Sequence, residues 1–301
     1  MASAVYHRPT MGAEEMVERV WPGRHAAIEV LGGGITNRNF KVTLDDGAYV
    51  LRIGGKDTEL LGIDRRVEYE ASLAAAAVGV GPEVVAFIEP EGYLVTRFLE
   101  GTVVKPEAIR CPEPLRRMAQ SLRAVHNGPP IPARFDSFRV VEAYAVTATT
   151  HGVTVPAAYA RAHETATRVE RARGPAAERP CHNDLLTANF IDDGTRIRIV
   201  DWEYAGMGDV FFDLANFSIN NGLSKDEIAA LLRAYFGDVR PEHERTLTLM
   251  RYMSDFREAM WGVVQQALSD LDFDFQAYAS EHFQRLERTA SERSFRRALG
   301  S

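Results

Sequence analysis

The sequence predicts an α+β protein with two lobes, a small antiparallel sheet followed by a mainly helical part. Three observations carry that expectation. Short β-rich runs crowd the first 97 residues, two of them separated by Asp45-Asp46-Gly47, a hairpin signal. Beyond them the apolar spacing becomes helical, broken mainly by a loop and second hairpin over residues 181 to 204, CHNDLLTANFIDDGTRIRIVDWEY. A chain of 301 residues is also long enough to bury two sizeable cores, which places the expected division at 1–97 and 98–301.

In chain order, residues 12 to 20 are expected to form a helix that stops at Trp21-Pro22-Gly23. Strands follow at 26 to 31, 39 to 44 and 48 to 53. Between the first two lies Gly32-Gly33-Gly34-Ile35-Thr36-Asn37, whose glycines let backbone amides approach phosphate oxygens without side-chain obstruction. Residues 64 to 78 read as a helix with Asp64 as N-cap and Gly79 as its stop. Its inward face carries Val67, Ala71, Ala74, Ala75 and Val78. Strands at 84 to 88 and 93 to 97 flank the turn Glu89-Pro90-Glu91-Gly92. Phe98-Leu99-Glu100-Gly101 is then a hinge, where backbone groups can bond an adenine and apolar side chains such as Phe98 can sandwich it.

The second part opens with a helix over 115 to 126, ended by Asn127-Gly128-Pro129-Pro130. His126 sits at that helix end, where an imidazole commonly meets terminal carbonyls. Further helices are expected at 156 to 173, from 211, at 224 to 236 and at 242 to 268. Asp213 stands near a helix start, where its carboxylate can accept backbone amides. In the last of these helices Asp255, Glu258 and Trp261 recur at i, i+3 spacing, so acids and an indole share one surface. Such a face can hold an ammonium through opposite charge and cation-π attraction.

Composition narrows the partners. Lys plus Arg number 35 against 42 Asp plus Glu, a net charge of -7, which disfavours nucleic acid and suits a cationic substrate. Cys111 and Cys181 have no metal-ligand spacing and fit reduced thiols in a cytoplasmic protein. The N-terminal stretch carries acids and lacks an apolar core, and no run reaches the roughly 18 apolar residues needed to span a bilayer, so no membrane role is expected. Oligomeric state stays open.

The chemistry concentrates in 181 to 204. Phosphoryl transfer asks a protein for positioning and charge neutralisation more than for covalent help. Asp184, followed five residues on by Asn189, matches the loop pattern in which Asp orients the attacking hydroxyl and Asn binds a metal. Asp201, delivered at the end of a strand over 195 to 200, is the expected main Mg²⁺ ligand, since hard cations prefer carboxylate oxygens. Glu203 assists at a second metal or through a hydrogen bond, and His182 braces the loop.

In these residues the chain resembles the aminoglycoside phosphotransferase and choline kinase families, which share a protein-kinase-like fold. The resemblance covers roughly residues 26 to 285 and implies ATP- and Mg²⁺-dependent phosphorylation of a small-molecule hydroxyl. It assigns Gly33, Gly34 and Asn37 to a nucleotide-covering loop and Arg52 to the place where protein kinases carry a phosphate-binding lysine. A glutamate should pair with Arg52. Glu68 and Glu70 both border the helix stripe, and counting back from Gly81-Pro82 in the family pattern favours Glu68. Tyr204, Trp261 and Tyr278 fall on aromatic positions that enclose a choline head group. Two departures stand out: Glu258 replaces a second tryptophan, and Asn220 replaces an acid. The implied acceptor is a cationic amino alcohol, choline first, with ethanolamine, thiamine or an aminoglycoside as alternatives. A non-catalytic nucleotide- or amine-binding relative is the reading from another class.

Overall fold

Alternating burial along the early strands sets the first layer. The computed structural model describes residues 11–32, 37–55, 57–269 and 271–300. β1 (Ala27–Leu31), β2 (Asn37–Leu44), β3 (Gly47–Gly54), β4 (Val84–Ile88) and β5 (Tyr93–Arg97) form an antiparallel sheet in the order β1-β2-β3-β5-β4. Phe40 and Val42 of β2 and Leu51 and Ile53 of β3 point to one face. There Ala13 and Val17 of α1 (Met11–Val20), with Trp21, close a small core over them. α2 (Arg65–Ala77) starts where the Asp64 carboxylate accepts the N–H groups of Arg66 and Val67. Its Ala71 and Ala75 join the larger core.

The Phe98 N–H bonds the Ala48 carbonyl at 3.0 Å, tying the connecting segment to the sheet. Four residues on, β6 (Thr102–Val103) pairs with β8 (Phe190–Asp192), which pairs with β9 (Ile197–Ile199). Gly101 is required at this crossing, because a Cβ there would stand 2.6 Å from the Asp192 carbonyl oxygen. The helical part then runs through α3 (Pro106–Ile109), α4 (Pro112–His126), α5 (Ser137–Thr150) and α6 (Ala158–Arg173). After the paired strands β7 (Glu178–Cys181) and β10 (Gly206–Asp209) come α7 (Val210–Asn220), α8 (Lys225–Phe236), α9 (Pro241–Leu268), α10 (Phe275–Ser291) and α11 (Arg293–Leu299).

α9 is the axis of this lobe. Leu249, Met253, Phe256, Met260 and Val264 are buried together with residues on its other faces, and α5, α7 and α10 pack around it. α5 is absent from the sequence expectation. Its β-branched and aromatic residues give weak helix propensity, and packing against α9 with an Asp136 N-cap overrides that preference. The expected 195–200 strand shortens to β9, because Asp193 turns back to accept the Thr195 and Arg196 N–H groups. The architecture is thus the expected α+β one, a small antiparallel sheet followed by a mainly helical part. Among the described residues no helix is long and apolar enough to cross a membrane.

Candidate active site

The loop carrying Asp184 is fixed from beneath. Asp213, in the first turn of α7, accepts the backbone N–H groups of His182 at 2.8 Å and Asn183 at 2.7 Å. Asn216, one turn on, accepts that of Leu185 at 2.6 Å. His126 does not meet helix carbonyls as expected. It is buried, with Nε2 at 3.0 Å from Asp213 and Nδ1 at 2.6 Å from the Tyr235 hydroxyl, because the end of α4 is packed under the loop. His182 lies edge-on to Trp202, and its Nε2 contacts the Val200 carbonyl at 3.0 Å. Burial lowers its pKa, so the ring is a neutral spacer. Asn183 and Asp201 both take left-handed backbone geometry, φ 67° and 71°, which their short polar side chains tolerate better than most residues.

Asp184 emerges from this platform against α9. Its Oδ1 accepts from Arg257 Nη1 at 3.2 Å, and the same nitrogen donates to Glu258 Oε1 at 2.7 Å. Burial, opposed by Arg257 and reinforced by Glu258, Asp201 and Glu203, lifts the Asp184 pKa to about 7. Glu258 meets the same burial, yet Arg257 and the Tyr278 hydroxyl hold its pKa below the usual range. Glu258 is therefore the ionised partner of the guanidinium. The Tyr278 hydroxyl donates to Glu258 Oε2 at 2.8 Å, and Trp261 Nε1 donates to the Tyr204 hydroxyl at 3.0 Å. Trp261 and Tyr278 meet edge to face at 5.7 Å.

The expectation of an acid-and-indole surface is corrected here. Asp255, Glu258 and Trp261 are all buried, since the middle of α9 is surrounded by other helices and its charges must pair internally. Asp255 is taken by Arg285 and His282 of α10 at 2.5 and 3.1 Å. Sequence reasoning also missed Arg257, the partner of both Asp184 and Glu258. A signal existed: Arg257-Glu258 is followed by the apolar stretch 259–264 and preceded by Phe256, so a pair placed there has to find countercharges if the helix is buried.

A cavity of about 300 Å³ lies between the sheet and this lobe, lined by Arg52, Glu68, Phe98, Asn189, Asp201 and Trp202 among others. Arg52 Nη1 donates to Glu68 Oε1 at 2.6 Å and also to Asp201 Oδ1. Glu70 is turned outward instead, 3.3 Å from Arg66. Arg65, another residue the sequence reading passed over, donates to Glu68 at 2.7 Å and to Glu203 at 3.2 Å. Asn189 Nδ2 bonds the Asp184 carbonyl at 3.1 Å. Asn37 Nδ2 reaches across to Glu203 Oε2 at 2.8 Å, away from the residues lining the cavity. Gly33 and Gly34 lie outside the described residues. The oxygen-bearing side chains of Asn189 and Asp201 on one cavity wall suit Mg²⁺, which takes one or two protein ligands and fills its shell with phosphate and water.

The stretch Asp201–Tyr204 divides two cavities. Asp201 and Trp202 line the first, whereas Glu203 and Tyr204 line a second, of about 380 Å³, with Tyr144, Glu59 and Asp64. Burial and the neighbouring Asp201 and Glu68 charges raise the Glu203 pKa to about 7.

Known proteins are similar to this chain in sequence and fold. The model of the phosphotransferase enzyme family matches residues 27–247. A choline/ethanolamine kinase family protein from Mesorhizobium loti has a similar solved structure, with 32% identity, a TM-score of 0.83 and coverage of 97% of this chain and 98% of that one. Choline kinase LicA from Streptococcus pneumoniae shares the fold, with a TM-score of 0.77 at 22% identity, over 93% of this chain and 98% of its own. Ethanolamine kinase 2 of Homo sapiens is 25% identical, over 90% of this chain and 79% of its own. With its family model, its fold and a near full-length relative in agreement, the chain belongs to the phosphotransferase enzyme family, on the side of the choline/ethanolamine kinases.

Proposed function

We propose that this phosphotransferase moves the γ-phosphoryl group of ATP to the hydroxyl of a small amino alcohol of the choline and ethanolamine class, in the cytoplasm. The observation that supports it most is the division made by Asp201–Tyr204: metal- and phosphate-binding groups on one side, an acidic and aromatic cavity on the other, with Asp184 between α9 and the loop. Residues 1–97 and 98–301 form the two lobes of this reading, and the nucleotide lies in the cleft between them.

Arg52, held by Glu68, contacts the phosphates as a cation that cannot lose its proton. Gly33, Gly34 and Asn37 belong to the loop that covers the nucleotide, and Phe98 borders the adenine. Asn189 and Asp201 would hold Mg²⁺, which would supply positive charge against that developing on the transferred phosphoryl group. Asp184 accepts the proton of the acceptor hydroxyl and sets its line of approach. Glu203, Tyr204, Glu258, Trp261 and Tyr278 receive the amine-bearing end.

The test is coupled ADP release, with the product identified by mass, from the purified protein with Mg-ATP and a panel of choline, ethanolamine, thiamine and an aminoglycoside. Choline or ethanolamine should stimulate release well above background and yield the phosphomonoester, and chelating the metal should abolish it. Stimulation by thiamine or the aminoglycoside alone would overturn the amino-alcohol reading while leaving the kinase.

A further inference from the structure

The group of residues proposed to receive the substrate's ammonium already holds a cation. Arg257 is among the most buried large side chains of the protein, and its Cζ stands 4.4 Å from the centroid of the Tyr204 ring. Its Nη1 bridges Glu258 at 2.7 Å and Asp184 at 3.2 Å. The guanidinium therefore covers an aromatic face and draws on two carboxylates that a bound ammonium would otherwise use. Its remaining edge, Nε and Nη2, is sealed from solvent and has no hydrogen-bond partner among the described residues. That edge is a two-donor fork and asks for oxygen lone pairs.

We infer that Arg257 is a specificity-determining residue that turns the acceptor pocket against quaternary ammonium and toward primary amines. The inference rests on the amino-alcohol reading and deepens it. A trimethylammonium head is held by aromatic faces and excluded water, and it donates no hydrogen bond. Here the Tyr204 face is covered, the Trp261 and Tyr204 polar atoms are bonded to each other, and the resident charge repels a second cation. A primary ammonium meets the same repulsion but brings three N–H donors. Carboxylate oxygens have two lone-pair directions each, so Glu258 and Asp184 can accept from it while still holding Arg257. This shifts the expected acceptor from choline toward ethanolamine.

The experiment measures kcat/KM on the unmodified enzyme for ethanolamine and its N-methyl, N,N-dimethyl and N,N,N-trimethyl derivatives, the last being choline. Efficiency should fall with each methyl. In Arg257→Met, which keeps length and removes charge, the choline-to-ethanolamine ratio should rise between about two-fold and thirty-fold, the range that a recovered cation-π contact provides. Arg257→Lys, compact and unable to cover the ring as a plane, should move the ratio in the same direction by less. Should Arg257→Met fail to fold, the methyl series and Arg257→Lys still decide. A flat or rising methyl series, or an unchanged ratio in a folded variant, overturns the inference and leaves the kinase reading standing. If no member of the series is phosphorylated while another alcohol is, the amino-alcohol reading falls and this one with it.

Discussion

At Asp184 burial brings a carboxyl into the range where its charge changes near neutral pH. An aspartate held near pKa 7 is half ionised at neutrality, so kcat/KM should climb with pH and level off above about 7. Asp184→Asn should lower kcat by roughly a hundred- to ten-thousand-fold and leave ADP binding in place. The same shift has a stability sign. Because the folded pKa is raised above the ordinary aspartate value, this carboxyl favours the folded state at low pH, and that contribution is lost as pH rises through about 7. The melting temperature of Asp184→Asn should therefore gain on the parent between pH 5 and pH 8, and a constant offset would show that the carboxyl is not shifted. Asp184, Asn189 and Asp201 were legible in the sequence because a short loop and hairpin carry all three. Arg257 was not, because its contact with Asp184 closes over 73 residues of chain and the partner could only be named once α9 was seen beside the loop.

At the scale of elements, α7 is a bracket for the loop that carries Asp184. One carboxylate, Asp213, accepts two consecutive backbone amides and faces His126, so its loss leaves several buried groups without partners. Asp213→Ala should destabilise the fold by about 3 kcal/mol and reduce kcat together with it, measured by urea unfolding and steady-state kinetics. On the other wall, Arg52→Met removes a cation shared by Glu68 and Asp201. The KM for ATP should rise by roughly ten-fold or more with little change in that for the acceptor, which separates a phosphate-binding role from a purely structural one. The sheet and most helices were readable because strand alternation, Asp64, Gly79 and the Asp45-Asp46-Gly47 turn are local signals. α5 was hidden because its helicity comes from packing on α9 rather than from its own residues.

For the whole molecule, the cavity proposed to take the nucleotide is lined from both lobes: Arg52 and Phe98 on one side, Asn189 and Asp201 on the other. Ligand binding then adds to the stability of the entire chain by mass action, about 2.7 kcal/mol at a hundred times Kd. Mg-ADP should raise the melting temperature by a few degrees, and Asp201→Ala should lose the part of that gain that depends on the metal. The crossing at Gly101 decides how such a two-sided grip can be released. With β6 stitched to β8 and no room for even a methyl group beside Asp192, everything from residue 101 onward travels with the helical lobe. Phe98, bonded to Ala48, travels with the sheet. Leu99 and Glu100 form the short link of this crossing, but the segment after α2 ties the two parts a second time, the Val80 carbonyl accepting from Ile199 and the Gly81 carbonyl from Arg198. Bending that link alone therefore does not free one part from the other: an opening must also part the Val80–Ile199 and Gly81–Arg198 bonds or carry that segment along.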